Sequence, residues 1–348
     1  MLPPKKGHVR PGCSLPHEVR CAAESRWQKR SKRDCIHEQQ ILFLLKKHFI
    51  AVLAIAGLFL AIGCSKESST VSKPEEQRQT LMIGLVPEQS LFKQARRYEP
   101  IAEYLSMRLD MDIHLAVMPT YEQVLTNIAQ RKLDGAFLGS LSYILCRQQC
   151  GIEVLARPED LDGHSTYYGV VIVRRDSNIH SVKEVRGKRF AFVDKYTTAG
   201  YLLPLAYFKK WQVDYRTYLK EYYFAGTHED VIYDVIDRKA DIGAVKSSVL
   251  NRLADEDPRV KNNLIVLSRT IDVPENSLAV RRDLPQQIKE QLKLELLRMH
   301  DDPEGRLVLK SFKARRFVET TDRDFRSVYL FARELGVDLS GKHAPSSP

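Results

Sequence analysis

Three segments place hydroxyl, small and ionisable residues after a predicted strand and before a predicted helix. They are residues 138–142 (LGSLS), 194–201 (DKYTTAGY) and 226–230 (GTHED). Each segment can hold free backbone N–H groups and a hydroxyl at the positive end of a helix, and such ends bind anions. If the three segments converge, they can surround a tetrahedral oxyanion with neutral donors and His228.

Each segment also has a purely structural interpretation. Ser, Thr and Asp are the usual N-cap residues of any helix. Residues 227–230 resemble a capping box with Asp in place of Glu, and a histidine at a helix start is often structural. The helix end should lower the pKa of His228. The residue types alone leave helix caps and ligand contacts as alternatives.

Strand and helix signals alternate from residue 81 onward. The short apolar runs 81–86 and 113–118 precede segments with helical spacing at 98–109 and 121–133. This alternation predicts an α/β fold with a parallel sheet covered by helices. Open α/β sheets bind ligands outside the carboxyl ends of their strands, which is where the three segments lie.

Long strands divide the chain into two predicted lobes. The strand at 167–173 (YYGVVIV) leaves the first α/β unit, and strands within 264–281 lead back to it. We expect lobe 1 to comprise residues 81–168 plus 275–340, and lobe 2 residues 169–274. Two lobes joined by hinge strands around a cleft form a site for a small ligand, and closure of the lobes reports its occupancy.

The residues before the folded part have the pattern of a bacterial lipoprotein signal. Positive residues 46–48 precede a short apolar run at 49–63, and Cys64 follows the small residue Gly63. A retained transmembrane helix is the rival interpretation, although a span needs ~20 apolar residues. We predict a signal peptide at 41–63, lipidation of Cys64, and a flexible tether over 64–80.

Most of the basic charge lies outside the predicted fold. Of the net charge of +10, residues 1–63 carry +7, so residues 64–348 carry only +3. This small excess argues against nucleic-acid binding. We interpret residues 1–40 as a mis-annotated or removed leader, and residues 341–348 as a polar tail.

The order of these segments resembles a known family over roughly residues 81–338. This family comprises the phosphate-, phosphite- and phosphonate-binding lipoproteins of ABC importers, a branch of the type II periplasmic binding proteins. The segments that carry the resemblance are 83–87 (IGLVP), 98–100 (YEP), 134–139 (DGAFLG), 192–202 (FVDKYTTAGYL), 225–229 (AGTHE), 241–245 (DIGAV) and 279–284 (AVRRDL).

The resemblance implies a set of ligand-binding residues. The hydroxyl triplet that holds the phosphonate oxygens in the family corresponds to Thr197, Thr198 and Ala199, so the third hydroxyl is missing here. His228 occupies the position of the family's binding histidine, and Tyr121 occupies that of an aromatic residue after a strand-ending proline. Gly139, Ser140 and Ser142 occupy the positions of small residues before a helix.

Three further positions depart from the family pattern. Members that bind aminoalkyl phosphonates hold the amine with acidic residues, and Ser248 and Asn276 stand at those places here. Lys246 replaces an uncharged or acidic residue, and it either faces the cleft or points to solvent. We therefore expect a cleft without acidic residues that disfavours aminoethylphosphonate. Inorganic phosphate, phosphite, a simple phosphonate or another small oxyanion remain as candidates.

The resemblance implies a substrate-binding protein and not an enzyme, with no cofactor and no metal. Its expected partners are a small oxyanion, an ABC transporter permease and a membrane reached through the N-terminal lipid, and we expect an extracytoplasmic monomer. Two alternatives stay open, a sensory lipoprotein that reports to a membrane receptor and a binder of an unrelated small anion. The chain contains no familiar catalytic motif such as a P-loop or G-x-S-x-G.

Overall fold

The structure is a computed structural model that describes residues 78–340. Several predicted features lie outside the described residues, namely the leader, the signal peptide, the lipidation of Cys64, most of the tether and the polar tail. Within 78–340, no helix is both long and apolar enough to cross a membrane.

The described residues form eleven strands. In chain order these are β1 (Thr80–Leu85), β2 (Asp112–Val117), β3 (Gly135–Leu138), β4 (Ile152–Asp160), β5 (Thr166–Arg174), β6 (Arg189–Phe192), β7 (Glu221–Phe224), β8 (Ile242–Lys246), β9 (Leu264–Pro274), β10 (Ser277–Arg281) and β11 (Ala314–Glu319).

Helices separate most of these strands. The α-helices of the described residues are α1 (Leu91–Leu109), α2 (Tyr121–Ala129), α3 (Ser140–Cys150), α4 (Leu203–Lys210), α5 (Tyr215–Tyr218), α6 (His228–Ile236), α7 (Ser247–Glu256), α8 (Pro258–Asn263), α9 (Gln286–Arg298), α10 (Pro303–Phe312) and α11 (Arg326–Glu334). A π-helical turn, Thr198–Leu202, precedes α4.

The strands build two sheets, one for each lobe. The sheet of lobe 1 has the order β11-β4-β10-β3-β1-β2, and the sheet of lobe 2 has the order β7-β6-β8-β5-β9. This architecture confirms the predicted two-lobed α/β fold. Neither sheet is wholly parallel, however, because β10 pairs antiparallel with β3 and β4, and β5 pairs antiparallel with β8 and β9. The first strand after each crossing between the lobes, β5 in lobe 2 and β10 in lobe 1, therefore runs opposite to its neighbours.

Buried apolar side chains continue from one lobe to the other. A single cluster includes Leu141 of lobe 1 and Ala199 and Val245 of lobe 2. Burial of apolar area stabilises contact between the surfaces that carry it. The two lobes are therefore held together by packing as well as by polar contacts.

Two of the differences from the sequence prediction have a clear structural reason. Helix α1 begins at Leu91, whereas the sequence predicted a start at Tyr98. Its first turns bury the polar Gln94 and expose Phe92, so they have no apolar stripe that a sequence pattern could reveal. Strand β11 was not predicted from its sequence (ARRFVE). It pairs only with β4 at the edge of its sheet, and an edge strand needs little apolar periodicity.

Candidate functional site

The start of helix α3 contacts the π-helical turn of the opposite lobe. Gly139 is the N-cap of α3, and the backbone N–H of Leu141 donates to Thr198 Oγ1 over 2.8 Å. Ser142 Oγ donates to the carbonyl oxygen of Tyr196 over 2.9 Å. The first two segments that the sequence singled out therefore meet between the lobes.

The start of helix α6 contacts the loop after β1. Thr227 caps this helix by accepting from the N–H of Asp230 over 2.9 Å, so the capping interpretation of this threonine is confirmed. The N–H groups of His228 and Glu229 both donate to the carbonyl oxygen of Glu88, over 3.0 and 3.2 Å. The positive end of α6 therefore already holds an oxygen acceptor from lobe 1.

His228 is a neutral donor in this arrangement. Its Nδ1 accepts the backbone N–H of Lys246 over 3.2 Å, which places the ring proton on Nε2. Burial lowers the pKa of His228 to about 3; the charge of Glu88 opposes this shift, and those of Lys246 and Arg252 reinforce it. At neutral pH the ring can donate one hydrogen bond and carries no charge.

Lys246 is buried against residues of lobe 1, with 2% of its surface exposed. Its ammonium donates to Glu88 Oε1 over 2.6 Å, to Asn276 Oδ1 over 2.9 Å and to Glu275 Oε1. The ring centroid of Tyr167 lies 4.4 Å from the same nitrogen. Burial alone would lower the pKa of Lys246, but the two carboxylates outweigh burial and raise it. The interpretation of Lys246 as a solvent-facing residue is therefore wrong.

The expectation of a cleft without acidic residues is also wrong. Glu88 and Glu275 both lie against the ammonium of Lys246. The sequence carried a weak signal for each: Glu88 directly follows Pro87 at the carboxyl end of a strand, and Glu275 directly precedes Asn276. The resemblance aligned neither position with an amine-binding acid, so sequence reasoning missed both.

Glu88 is held in its charged form by cations from both lobes. Burial by itself would raise its pKa, but Lys246, Arg252 and Arg97 lower the pKa to about 2. Arg97 Nη1 lies 3.8 Å from Glu88 Oε2. A buried carboxylate needs such compensation, because an unpaired charge in the interior is costly.

Two of the other predicted hydroxyls donate hydrogen bonds within the protein. Thr197 Oγ1 donates to the carbonyl of Asp194 over 2.6 Å, and Ser140 Oγ donates to the carbonyl of Pro274 over 2.7 Å. These bonds fix the turn before the π-helix and tie α3 to the end of hinge strand β9. Ser248 is half-buried at the second position of α7, and it makes no side-chain hydrogen bond within residues 78–340.

Small residues allow the π-helical turn to lie close to its neighbours. A Cβ on Gly200 would lie 2.4 Å from Val193 Cγ2, and a Cβ on Gly169 would lie 3.3 Å from Ala199. The first distance is too short for any side chain. The lack of a side chain at Gly200 therefore allows Thr197 and Thr198 to lie close to the end of β6, and this places Thr198 next to lobe 1.

Two buried polar atoms near Glu88 and Lys246 have no hydrogen-bond partner among the described residues. These are the hydroxyl of Tyr121 and Nδ2 of Asn276. Burial raises the pKa of Tyr121, and the negative charge of Glu88 raises it further, so the hydroxyl keeps its proton. Unpaired buried donors are uncommon in folded proteins, and both of these can donate to a bound anion.

One exposed cluster of residues could in principle ligate a metal. The ligand atoms of Asp160, Asp162 and His164 lie within 4.8 Å of one another. Asp160 Oδ1 accepts the backbone N–H groups of Asp162 and His164 over 3.0 and 2.8 Å. Hydrogen bonding within this turn accounts for the arrangement.

Comparison with known proteins identifies one family. The profile described as "ABC transporter, phosphonate, periplasmic substrate-binding protein" matches residues 83–325. The "Phosphonates-binding periplasmic protein" of Escherichia coli is 24% identical over 299 residues, which cover 83% of this chain and 86% of that protein. The "Probable ABC transporter phosphite binding protein PhnD1" of Prochlorococcus marinus is 23% identical over 267 residues, or 73% of this chain and 89% of that protein.

A solved structure shares the fold. The binding-protein component of an ABC phosphonate transporter from Pseudomonas aeruginosa has a TM-score of 0.70 at 21% identity. The match covers 77% of this chain and 91% of that protein. The two-lobed architecture of residues 78–340 is therefore that of periplasmic binding proteins.

Proposed function

Because the chain belongs to the family of periplasmic substrate-binding proteins of phosphonate ABC transporters, we propose that it captures a small phosphorus oxyanion and delivers it to a membrane permease. Phosphate, phosphite and a simple phosphonate are the candidate ligands. The signal pattern that ends at Cys64 supports an extracytoplasmic lipoprotein held at a membrane by its lipid. Relatives in this family are transport proteins and not enzymes.

One observation carries this proposal: two helix starts, one from each lobe, direct N–H groups at oxygen atoms of the opposite lobe. Leu141 N–H reaches Thr198 Oγ1, and His228 N–H reaches the carbonyl of Glu88. These acceptors occupy positions where an oxyanion could accept the same bonds. Opening of the lobes would free the N–H groups, and a bound oxyanion would then replace the internal acceptors as the lobes close.

The remaining donors suit an anion that must also be released. The hydroxyls of Tyr121 and Thr198, Asn276 Nδ2 and the neutral ring of His228 carry no net charge. Charge-assisted hydrogen bonds from neutral donors are strong and directional. They would replace the water shell of the oxyanion without adding a cation that would retain it.

A thermal-shift screen of the full-length protein tests this proposal. Phosphate, phosphite and methylphosphonate would be compared with sulfate and acetate at equal ionic strength. A ligand that binds only the folded state raises the melting temperature once its concentration exceeds Kd. We expect a shift with at least one phosphorus oxyanion that sulfate and acetate do not produce. Equal responses to all five anions would refute the proposed ligand class.

Thr198 is expected to contribute directly to affinity. The variant Thr198→Val keeps the shape of the side chain but removes its hydroxyl, so the ligand loses one hydrogen bond to a charged group. We expect affinity for the oxyanion to fall by about 1–3 kcal/mol, measured by isothermal titration calorimetry. Thr198→Ser, which retains the hydroxyl, is the matched control. Equal affinity in the valine and serine variants would remove Thr198 from the site.

A further inference from the structure

The ammonium of Lys246 sits in a complete ammonium-binding cage. A primary ammonium has three N–H donors, and here three oxygen acceptors face it, from Glu88, Glu275 and Asn276. The ring of Tyr167 closes a further side at 4.4 Å, a distance suited to a cation–π contact. Two carboxylates, an amide oxygen and an aromatic ring form a site with the chemistry to bind any primary amine.

We propose that Lys246 is a built-in occupant of this cage and that it restricts the ligand to small oxyanions without an amine. This inference rests on the proposed function, since it concerns the substrate class of the same cleft. It also implies that the cage is a latent ammonium site. Removal of the lysine side chain should therefore convert the cleft to one that accepts an aminoalkyl phosphonate.

The cage adjoins the donors assigned to the oxyanion. The ring of Tyr167 lies over the ammonium. Burial raises the pKa of the Tyr167 hydroxyl, and the neighbouring Lys246 and Thr198 oppose this shift. Asn276 uses Oδ1 for the ammonium, while its Nδ2 has no partner within the described chain. A Cβ placed on Gly139, the N-cap of α3, would lie 3.4 Å from Asn276 Oδ1. One ligand could therefore reach both the cage and the helix start.

The occupied cage rejects a ligand amine for two reasons. All three acceptors are already used by Lys246, so a second ammonium would lose its water shell without gaining partners. It would also place a like charge beside the buried cation, and such repulsion is a common source of specificity. A ligand of the same size without an amine meets neither penalty.

The variant Lys246→Ala tests the inference in two ways. The first compares 2-aminoethylphosphonate with ethylphosphonate, which differ only by the amine. We expect the wild-type protein to prefer ethylphosphonate at least tenfold. In Lys246→Ala we expect the ratio of affinities to shift toward the amine by at least tenfold, measured by calorimetry on the full-length protein.

The second measurement uses ethylammonium chloride alone. It should raise the melting temperature of Lys246→Ala more than potassium chloride does at the same concentration, because the small cation fills the vacated cage. Lys246→Met is the matched control, since its side chain is also neutral but still occupies the space. It should respond equally to both salts, as should the wild-type protein.

Distinct results separate this inference from the proposed function. Failure of wild type to bind any phosphorus oxyanion would refute the function, while the ammonium response of Lys246→Ala would still report on the cage. Equal wild-type affinity for 2-aminoethylphosphonate and ethylphosphonate would overturn the inference, even if no Lys246 variant folds. So would an alanine variant that responds to ethylammonium no more than to potassium.

Discussion

Replacement of Lys246 by methionine should lower the free energy of unfolding by about 3–5 kcal/mol, the usual cost of breaking a buried ion pair by removing one partner. Lys246 and Glu88 are only 2% and 3% exposed in their side chains, and the side chain of Glu275 is 17% exposed. Methionine fills the same space, so no large cavity is created. The cost arises because two carboxylates lose their shared cation in a site that water barely reaches.

Urea denaturation of full-length variants at pH 7 would measure this loss. Lys313→Met is the matched control, because Lys313 pairs with Asp255 at 3.2 Å in a site where the two side chains are 50% and 72% exposed. An exposed pair contributes about 0–1 kcal/mol. The triple variant Lys246→Met, Glu88→Gln, Glu275→Gln should recover much of the lost stability, since no charge remains unpaired. Equal losses for the Lys246 and Lys313 variants would contradict the burial argument.

Stability should also fall as the pH decreases from about 6.5 toward 3. The folded-state pKa of His228 is lowered from 6.5 to about 3, so in this window the unfolded chain binds a proton that the folded protein does not. Protonation therefore favours the unfolded state, and the free energy of unfolding rises with pH. Each unit of pKa difference corresponds to about 1.4 kcal/mol, which makes a loss of several kcal/mol the expected result.

Glu88 acts in the same direction at lower pH. Its pKa is lowered from 4.5 to about 2, so its contribution is complete above pH 4.5 and is lost as the pH falls toward 2. The range between pH 6.5 and 4.5 therefore separates the contribution of His228 from that of Glu88. Chemical denaturation across this range should show a shallower slope in His228→Asn, whose Oδ1 can still accept from Lys246. An unchanged slope in that variant would contradict the assignment, and exposed His114→Asn should behave as the wild type.

The sequence predicted the fold well because local patterns determine most of its elements. Apolar runs that end at Pro87 and Pro119 mark strands, and helical spacing in 121–133 marks a helix whose cap, Thr120, accepts from the following turn. Predictions failed where a tertiary contact replaced a local pattern. Helix α1 buries Gln94 in its first turns, and β11 depends on pairing with β4 alone. Neither feature leaves a periodic apolar signal.

The candidate site was predictable in its helix starts but not in its charges. Hydroxyl and small residues before a helix are visible in one sequence, and the structure brings Thr198 to the start of α3 as expected. The pairing of Lys246 with Glu88 joins residues 158 positions apart. No local pattern specifies such a pairing, because it joins a residue of one lobe to a residue of the other. The sequence therefore suggested a lysine without the carboxylates that neutralise it.

The position of β10 has a consequence for the order in which the chain can fold during synthesis. In lobe 1 this strand lies between β3 and β4, although it follows all of lobe 2 along the chain. Until residue 281 has emerged, only β3, β1 and β2 can pair, because both neighbours of β4 in the sheet, β10 and β11, come later in the chain. Lobe 2, which ends with β9 at Pro274, has all its strands earlier. The sheet of the second lobe can therefore be completed before that of the first, although the first lobe begins earlier in the chain.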